Sequence, residues 1–244
     1  LEYKDYVTVA QTFDLQFEGK LISLAEMSRA GTEFYANYKK NAHAEEPEKR
    51  IKIDAELLLG ASPNEEIPVM FNWKEEAREC FLQPIKNQEY CGSCYSFAVT
   101  YAMARRFCLK NPAAYSRLDL SPQDMLECDT KNLKCQGGII PYTWMYSEDT
   151  GVCTEACKPY YSGQSEKVNE CSLYCSDYRQ DYYKFKNKRN TLQQGVSNDD
   201  MKFLILKYGP ITTGMTACPD LSMYRGGIYI NRPQPDDKEK CGGH

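Results

Sequence analysis

An α+β architecture in two lobes is the fold class the sequence predicts. Two observations lead there: helix signals crowd the stretch from Cys94 to Ser147, and strand signals follow only after Gly209. The third observation is the cysteine distribution. Residues 1–66 hold none, whereas all 12 cysteines fall in residues 67–244. A chain of 244 residues suffices for one or two domains with a substantial core.

Tyr6 to Phe17 is rich in strand formers. Leu24, Met27, Phe34 and Tyr38 then recur at near-helical spacing, which predicts an amphipathic helix from Ile22 to Lys39. Ala44 to Arg50 is a charged linker or cleavage site that includes His43's neighbourhood, and Ser62-Pro63-Asn64 is a loop. His43 reads as a solvated linker residue.

In the cysteine-rich part, Cys94 to Lys110 reads as a helix, with Phe97, Ala98, Tyr101, Ala102 and Arg105 at helical positions. Ser121-Pro122-Gln123-Asp124 is a helix start: a Ser cap, Pro at the first position and an acid in the first turn. That helix runs to Cys128. A third covers Pro141 to Ser147. Cys153 to Lys188 is loop-rich and carries four cysteines. Ser197 caps a helix closed by Gly209. Pro210 to Ala217 and Gly227 to Ile230 read as strands.

Composition narrows the function. No apolar run approaches the roughly 18 residues of a membrane helix. A net charge of −4 with pI near 5.4 argues against nucleic acid as a partner. The basic group Lys184, Lys186, Lys188 and Arg189 reads as a solvated turn. So many cysteines point to an oxidising compartment and disulfide cross-links. The chain opens on Leu1 and stops at His244, and the expectation is that both ends were trimmed or processed.

The richest segment is Gln88-Glu89-Tyr90-Cys91-Gly92-Ser93-Cys94-Tyr95. Cys94 sits where a turn becomes a helix. Unpaired N–H groups and the positive helix end there favour thiolate over thiol. Gly92 keeps the approach to the sulfur open. Three chemistries compete. A redox dithiol Cys91/Cys94 needs a βαβ pattern that is not found. Zinc would use Cys91/Cys94 with Cys171/Cys175 or Cys153/Cys157, but the spacings are irregular. The third is a nucleophile with a distant base. Only two histidines exist, His43 and His244.

Cys91-Gly92-Ser93-Cys94-Tyr95 resembles the C-G-[SA]-C-[WY] signature of papain and the cathepsins. His244 lies 150 residues after Cys94, within the family's spacing of about 130–150. Tyr after the nucleophile is similar to cathepsin C, dipeptidyl-peptidase I. Gly242-Gly243-His244 looks like the cathepsin B form of the catalytic histidine motif. Ile67-Pro68 through Asn72-Trp73 resembles the start of a mature cathepsin, with Asn72 where Asp is usual. Leu120-Ser121-Pro122-Gln123, Cys128, Cys135-Gln136-Gly137-Gly138, Ala156-Cys157-Lys158-Pro159-Tyr160, Tyr208-Gly209-Pro210-Ile211 and Tyr224 to Tyr229 follow in family order.

The resemblance implies a papain-like two-lobed fold over 67–244, with a helical left lobe and a β-barrel-like right lobe. It implies hydrolysis of peptide or protein substrates by a Cys94–His244 thiolate–imidazolium pair, with Gln88 and the Cys94 N–H holding the oxyanion. Gly92, Gly137 and Gly138 would line the cleft, and Ile139 and Ile140 would wall an apolar pocket. No cofactor or metal is called for. It further implies the disulfides Cys91–Cys135, Cys128–Cys171 and Cys157–Cys175, with Cys80–Cys108 by similarity to cathepsin B. Cys153, Cys218 and Cys241 stay unassigned, and at least one is free or pairs outside the chain. The compartment expected is lysosomal or secreted.

The pattern also departs from the family. Glu89 stands where the family usually has Gly. The orienting Asn and the last strands of the second lobe would lie beyond His244, on a continuation or a second processed chain. Lys158 to Glu170 is short and has no histidine, so a cathepsin B-like occluding loop is not supported. Residues 1–66 are expected to be a pro-segment occupying the cleft, which would make the chain a zymogen, or an extension. The alternative is a non-catalytic protein of the same fold with a structural or binding role.

Overall fold

Local signals start and stop most of the helices. The computed structural model describes residues 67–188, 197–229 and 241–244. The expectations for residues 1–66, His43 among them, and for Arg189 and Ile230 lie outside the described residues. Helix α1, Trp73–Glu76, begins where the Asn72 side chain accepts the Lys74 N–H at 3.0 Å. A 3₁₀ turn follows, Arg78–Phe81. Helix α2 spans Cys94–Lys110, and Asn111 then caps the short α3, Pro112–Tyr115.

Helix α4, Pro122–Cys128, starts on Ser121, whose Oγ accepts the Asp124 N–H at 3.0 Å. Helix α5 covers Ile140–Asp149, longer at both ends than Pro141–Ser147. Nothing at Ser147 stops it, because that hydroxyl folds back onto the Trp144 carbonyl at 2.6 Å. Helix α6 is the single turn Ser162–Ser165. Helix α7, Asn198–Tyr208, carries a reciprocal capping box between Ser197 and Asp200 and ends at Gly209.

Helix α2 is the axis of the helical part. It is buried on nearly every side, through Tyr95, Ser96, Val99, Thr100, Ala102, Met103, Ala104, Arg105 and Cys108. Val99 and Met103 pack with Leu118, Leu120, Met125, Trp144 and Val152 in the main core. Arg105 is 1% exposed, and its guanidinium donates to the carbonyls of Cys80 and of Leu118, the latter at 2.8 Å, and lies over the Tyr101 ring, 5.3 Å from its centroid.

A second core layer is ionic. The Lys158 ammonium lies 3.1 Å from Asp124 Oδ1 and 3.0 Å from Glu127 Oε2, and Lys184 lies 3.0 Å from Asp124 Oδ2. Burial alone would lower the Lys158 pKa, but Glu127 and Asp124 outweigh it and hold the group above its ordinary value. The basic-turn reading therefore needs correction at Lys184. Asp124 and the Tyr146 hydroxyl, 2.8 Å away, draw its ammonium inward, while Lys186 and Lys188 stay exposed.

The strand expectations need correction as well. Among the described residues the ladder is two residues long: β1, Thr216–Ala217, pairs antiparallel with β2, Gly242–Gly243. Residues 210–214 are not a strand, and their bonds to helix α2 take the place of a neighbouring strand: the Arg106 Nε donates to the Pro210 carbonyl, 2.8 Å, and Thr212 Oγ1 to the Ala98 carbonyl, 3.4 Å. Gly227 to Tyr229 are not a strand either. Their bonds are local, from the Tyr224 hydroxyl to the Gly227 carbonyl and from the Tyr229 hydroxyl to Asp220, 2.7 Å.

Five disulfides staple the described residues: Cys80–Cys108, Cys91–Cys135, Cys128–Cys171, Cys157–Cys175 and Cys218–Cys241. Cys94 and Cys153 are free. No described helix is long and apolar enough to cross a membrane.

Candidate active site

Cys94 is the first residue of α2 and keeps a free thiol. Three residues earlier, Cys91 is locked to Cys135, so the pair Cys91/Cys94 is not a dithiol. Cys157, Cys171 and Cys175 are likewise bonded, which takes apart both zinc ligand sets. The helix end acts on the sulfur, but it does not prevail. Burial pushes the Cys94 thiol from 9.0 up to about 11, against the pull of the Tyr95 and Cys94 N–H groups. The N–H groups act in the expected direction, and desolvation exceeds them.

The peptide before Cys94 has a fixed orientation. The Ser93 carbonyl accepts the N–H groups of Ser96 and Phe97, at 2.9 and 3.2 Å, and the Ser96 hydroxyl at 2.8 Å. In a trans peptide the following N–H, that of Cys94, must point the opposite way, out of the helix end. Gln88 lies on the strap that enters this turn. Its Nε2 donates to the Cys91 carbonyl at 3.1 Å, which leaves the second amide hydrogen for another acceptor. Glu89 beside it takes φ 55°, the left-handed region where Gly is the easy choice.

The glycines divide by what they face. A Cβ on Gly92 would stand 2.5 Å from the Cys135 carbonyl oxygen. Gly92 is thus required by its own chain. A Cβ on Gly138 would stand 2.6 Å from the Tyr95 ring, whose hydroxyl bonds the Lys134 carbonyl at 2.9 Å. Gly137, at φ 110°, faces open space. Ile139 donates its N–H to Asn132 Oδ1 at 2.7 Å, and Ile140 packs partly against the main core. For Ile140 packing against the core is thus the observed contact.

His244 arrives from the other side. Its N–H and C=O exchange bonds with Met215, both 2.8 Å, extending the ladder by one pair. The path of residues 209–215 shows where that pair lies. The chain leaves α7, touches Leu109 at Gly209 and Arg106 at Pro210, then Ala98 at Thr212. It travels along α2 toward the Cys94 end. Ala98 is about one turn, 5.4 Å, from Cys94, and Met215 is three residues, about 10 Å, beyond Thr212. Burial lowers the His244 pKa, and its Nδ1 is buried with no hydrogen-bond partner.

The second free thiol, Cys153, is fully buried beside the ionic layer. Burial and Asp124 push it up to about 12, against Lys158 and Lys184. Sequence reasoning also overlooked Tyr160, Ser93 and Tyr95, which fasten the turn around Cys94. Tyr160 stands in the quoted run Ala156 to Tyr160, but spacing alone does not reveal that its hydroxyl crosses to Gln88.

Comparison with known proteins places the chain among cysteine proteases. Over 162 residues the chain is 27% identical to cathepsin B-like CP3 of Giardia intestinalis, covering 66% of this chain and 53% of that protein. Over 181 residues it is 29% identical to cathepsin Z of Onchocerca volvulus, covering 70% and 58%. The chain thus spans somewhat over half the length of these relatives. The solved structure of procathepsin B S9 from Trypanosoma congolense superposes with a TM-score of 0.59 at 19% identity, covering 74% of this chain and 61% of that one, a likeness of fold. The family model described as papain family cysteine protease matches residues 67–242. The chain belongs to the papain family of cysteine proteases.

Proposed function

We propose that residues 67–244 form a peptidase domain that hydrolyses peptide bonds through Cys94. The observation that carries this is the free thiol at the first position of a 17-residue helix, while its neighbour Cys91 is held in a disulfide. In this reading Cys94 passes its proton to His244 and its sulfur attacks the scissile carbonyl. A C–S bond forms and the carbonyl electrons move onto oxygen. The Cys94 N–H and the free amide hydrogen of Gln88 stabilise that oxyanion. His244 then protonates the leaving amine as the C–N bond breaks. Water, deprotonated by His244, hydrolyses the thioester and restores Cys94.

Gly137 and Gly138 would receive the substrate backbone, with Ile139 at the wall. Residues 1–66 would serve as a pro-segment, and the disulfides fit a lysosomal or secreted setting.

The raised thiol favours a second reading, a papain-fold protein that binds without cleaving. A peptidyl epoxide probe at pH 5.5 on the full chain separates the two. Labelling is expected at Cys94, lost in Cys94→Ala and kept in Cys153→Ala. An unlabelled chain, even after mild proteolysis, supports the binding role instead.

A further inference from the structure

Tyr160 reaches the nucleophile turn from a distant part of the chain. Its hydroxyl donates to the Gln88 carbonyl at 2.7 Å and lies 3.0 Å from Ser93 Oγ. A phenol has one proton. With that proton on the Gln88 carbonyl, Ser93 must supply the hydrogen of the second bond, turning its one proton to the nearer phenol instead of the Cys91 carbonyl 3.3 Å away. One oxygen therefore ties together the two residues that present the oxyanion donors: Gln88, with its side-chain amide, and Ser93, whose peptide carries the Cys94 N–H.

The ring has little freedom to move. It meets Phe97 edge to face with centroids 4.7 Å apart, and it packs against the cluster of Cys91, Tyr95, Leu126 and Cys135. Its backbone N–H donates to Glu155 Oε1 at 2.8 Å. The other oxygen of Glu155 lies 3.2 Å from Lys86, two residues before Gln88, and Lys86 also pairs with Asp119 at 2.8 Å. The strap carrying Gln88 is thus fastened twice, by an ion pair at Lys86 and by the phenol at Gln88 itself. The phenol alone also bonds the helix side.

We propose that Tyr160 is a positioning residue that sets the spacing between the Gln88 amide and the Cys94 N–H. It touches neither substrate nor sulfur; it acts through Gln88 and Ser93. The inference rests on the peptidase reading above. Burial keeps the phenol protonated, with its pKa pushed up to about 12, so the donor persists over the whole working range of pH.

The test is Tyr160→Phe in the full chain, which keeps the ring on Phe97 and deletes one oxygen. Three readouts are compared with wild type: kcat and KM on a pool of fluorogenic dipeptidyl coumarin amides, the rate of Cys94 alkylation by iodoacetamide in a Cys153→Ala background, and Tm. Peptide cleavage builds an oxyanion; alkylation does not. The expected result is a fall in kcat of about tenfold to a hundredfold, the scale for a displaced reacting group, with KM and alkylation within about twofold of wild type. Ser93→Ala, which cuts the second bond together with the 3.3 Å contact to the Cys91 carbonyl and leaves the phenol on Gln88, is expected to show a smaller fall of the same kind. An unchanged kcat overturns the inference. So does a joint fall of kcat, alkylation rate and Tm, which marks a purely structural role. A wild-type chain inert to both the substrates and the epoxide probe overturns the peptidase reading itself, and this inference with it.

Discussion

The two sides of the candidate site are held in place by very different means. Cys94 begins a buried 17-residue helix, with a disulfide before it and a layer of buried ion pairs beneath it. His244 hangs on a ladder of two strand residues plus one further pair, closed by Cys218–Cys241. The nucleophile side is fixed redundantly, so a single loss there shows first as lost stability. On the histidine side, under the proposed mechanism, the same loss displaces a reacting group. Substitutions on each side test that contrast.

The largest stability effect belongs to the nucleophile side. Lys158→Ala strips one cation from Asp124 and Glu127 and leaves Glu127 a buried carboxylate without a counter-charge. Removing one partner of such a pair costs about 3–5 kcal/mol. Urea unfolding is expected to show that loss, while epoxide labelling of the molecules that remain folded proceeds normally. A loss under 1 kcal/mol would mean that the ionic layer does not secure this side.

Disulfide removal compares the sides at nearly equal energy. Cys80–Cys108 and Cys218–Cys241 span 28 and 23 residues, and loop entropy assigns each about 3 kcal/mol. Cys80→Ser with Cys108→Ser is expected to lower Tm and leave kcat per folded molecule near wild type. Cys218→Ser with Cys241→Ser lowers Tm comparably and also reduces kcat by roughly a hundredfold, since His244 loses its tether. Equal activity losses would erase the distinction between the sides.

A smaller effect is expected at Glu89. Its φ of 55° costs a non-glycine residue about 1–2 kcal/mol. Glu89→Gly removes that strain but gains unfolded-state entropy. The net gain in stability is expected to be about 0.5 kcal/mol by urea unfolding, with kcat/KM unchanged. A destabilised variant would show that the Glu89 carboxylate, which packs over Gly163, holds the strap.

What was legible in the sequence follows the same division. Caps are local chemistry, so Ser121-Pro122, Ser197 and Gly209 marked helix ends that the structure also has. Residues 210–214 misled because Pro210 to Ala217 has strand composition, and composition does not say which partner takes the hydrogen bonds; at Pro210 and Thr212 helix α2 does. Lys184 misled for a related reason. Its partner, Asp124, lies 60 positions back and reads as a helix-start acid. At Cys94 the helix end was legible, whereas the opposing desolvation depends on what the fold packs around the sulfur. The fifth disulfide, Cys218–Cys241, was open because an odd count of unassigned cysteines leaves several pairings.

The last contrast lies in how the two sides respond to pH. Burial lowers the His244 pKa below 6.5, so the folded state resists a proton that the unfolded chain accepts. That contribution to stability is present above about 6.5 and is lost as pH falls from there to the lowered folded value. Cys94 behaves oppositely. Burial raises it from 9.0 to about 11, so the unfolded thiol ionises first and stability is lost as pH rises between those values. Urea midpoints from pH 5 to 10.5 are expected to fall at both ends. His244→Ala should flatten the acid arm and Cys94→Ala should shrink the alkaline arm, the rest of which belongs to the buried Cys153 thiol and the Tyr160 phenol, and each leaves the other arm intact. An ion pair formed in the resting protein reverses both signs, because each charge then favours the other: the histidine titrates above 6.5 and the thiol below 9.0. In that case either substitution alone shrinks both arms, since each group's shift depends on the other. Two independent arms therefore describe sides that meet only when substrate is bound, and a single shared titration describes a pair assembled in advance.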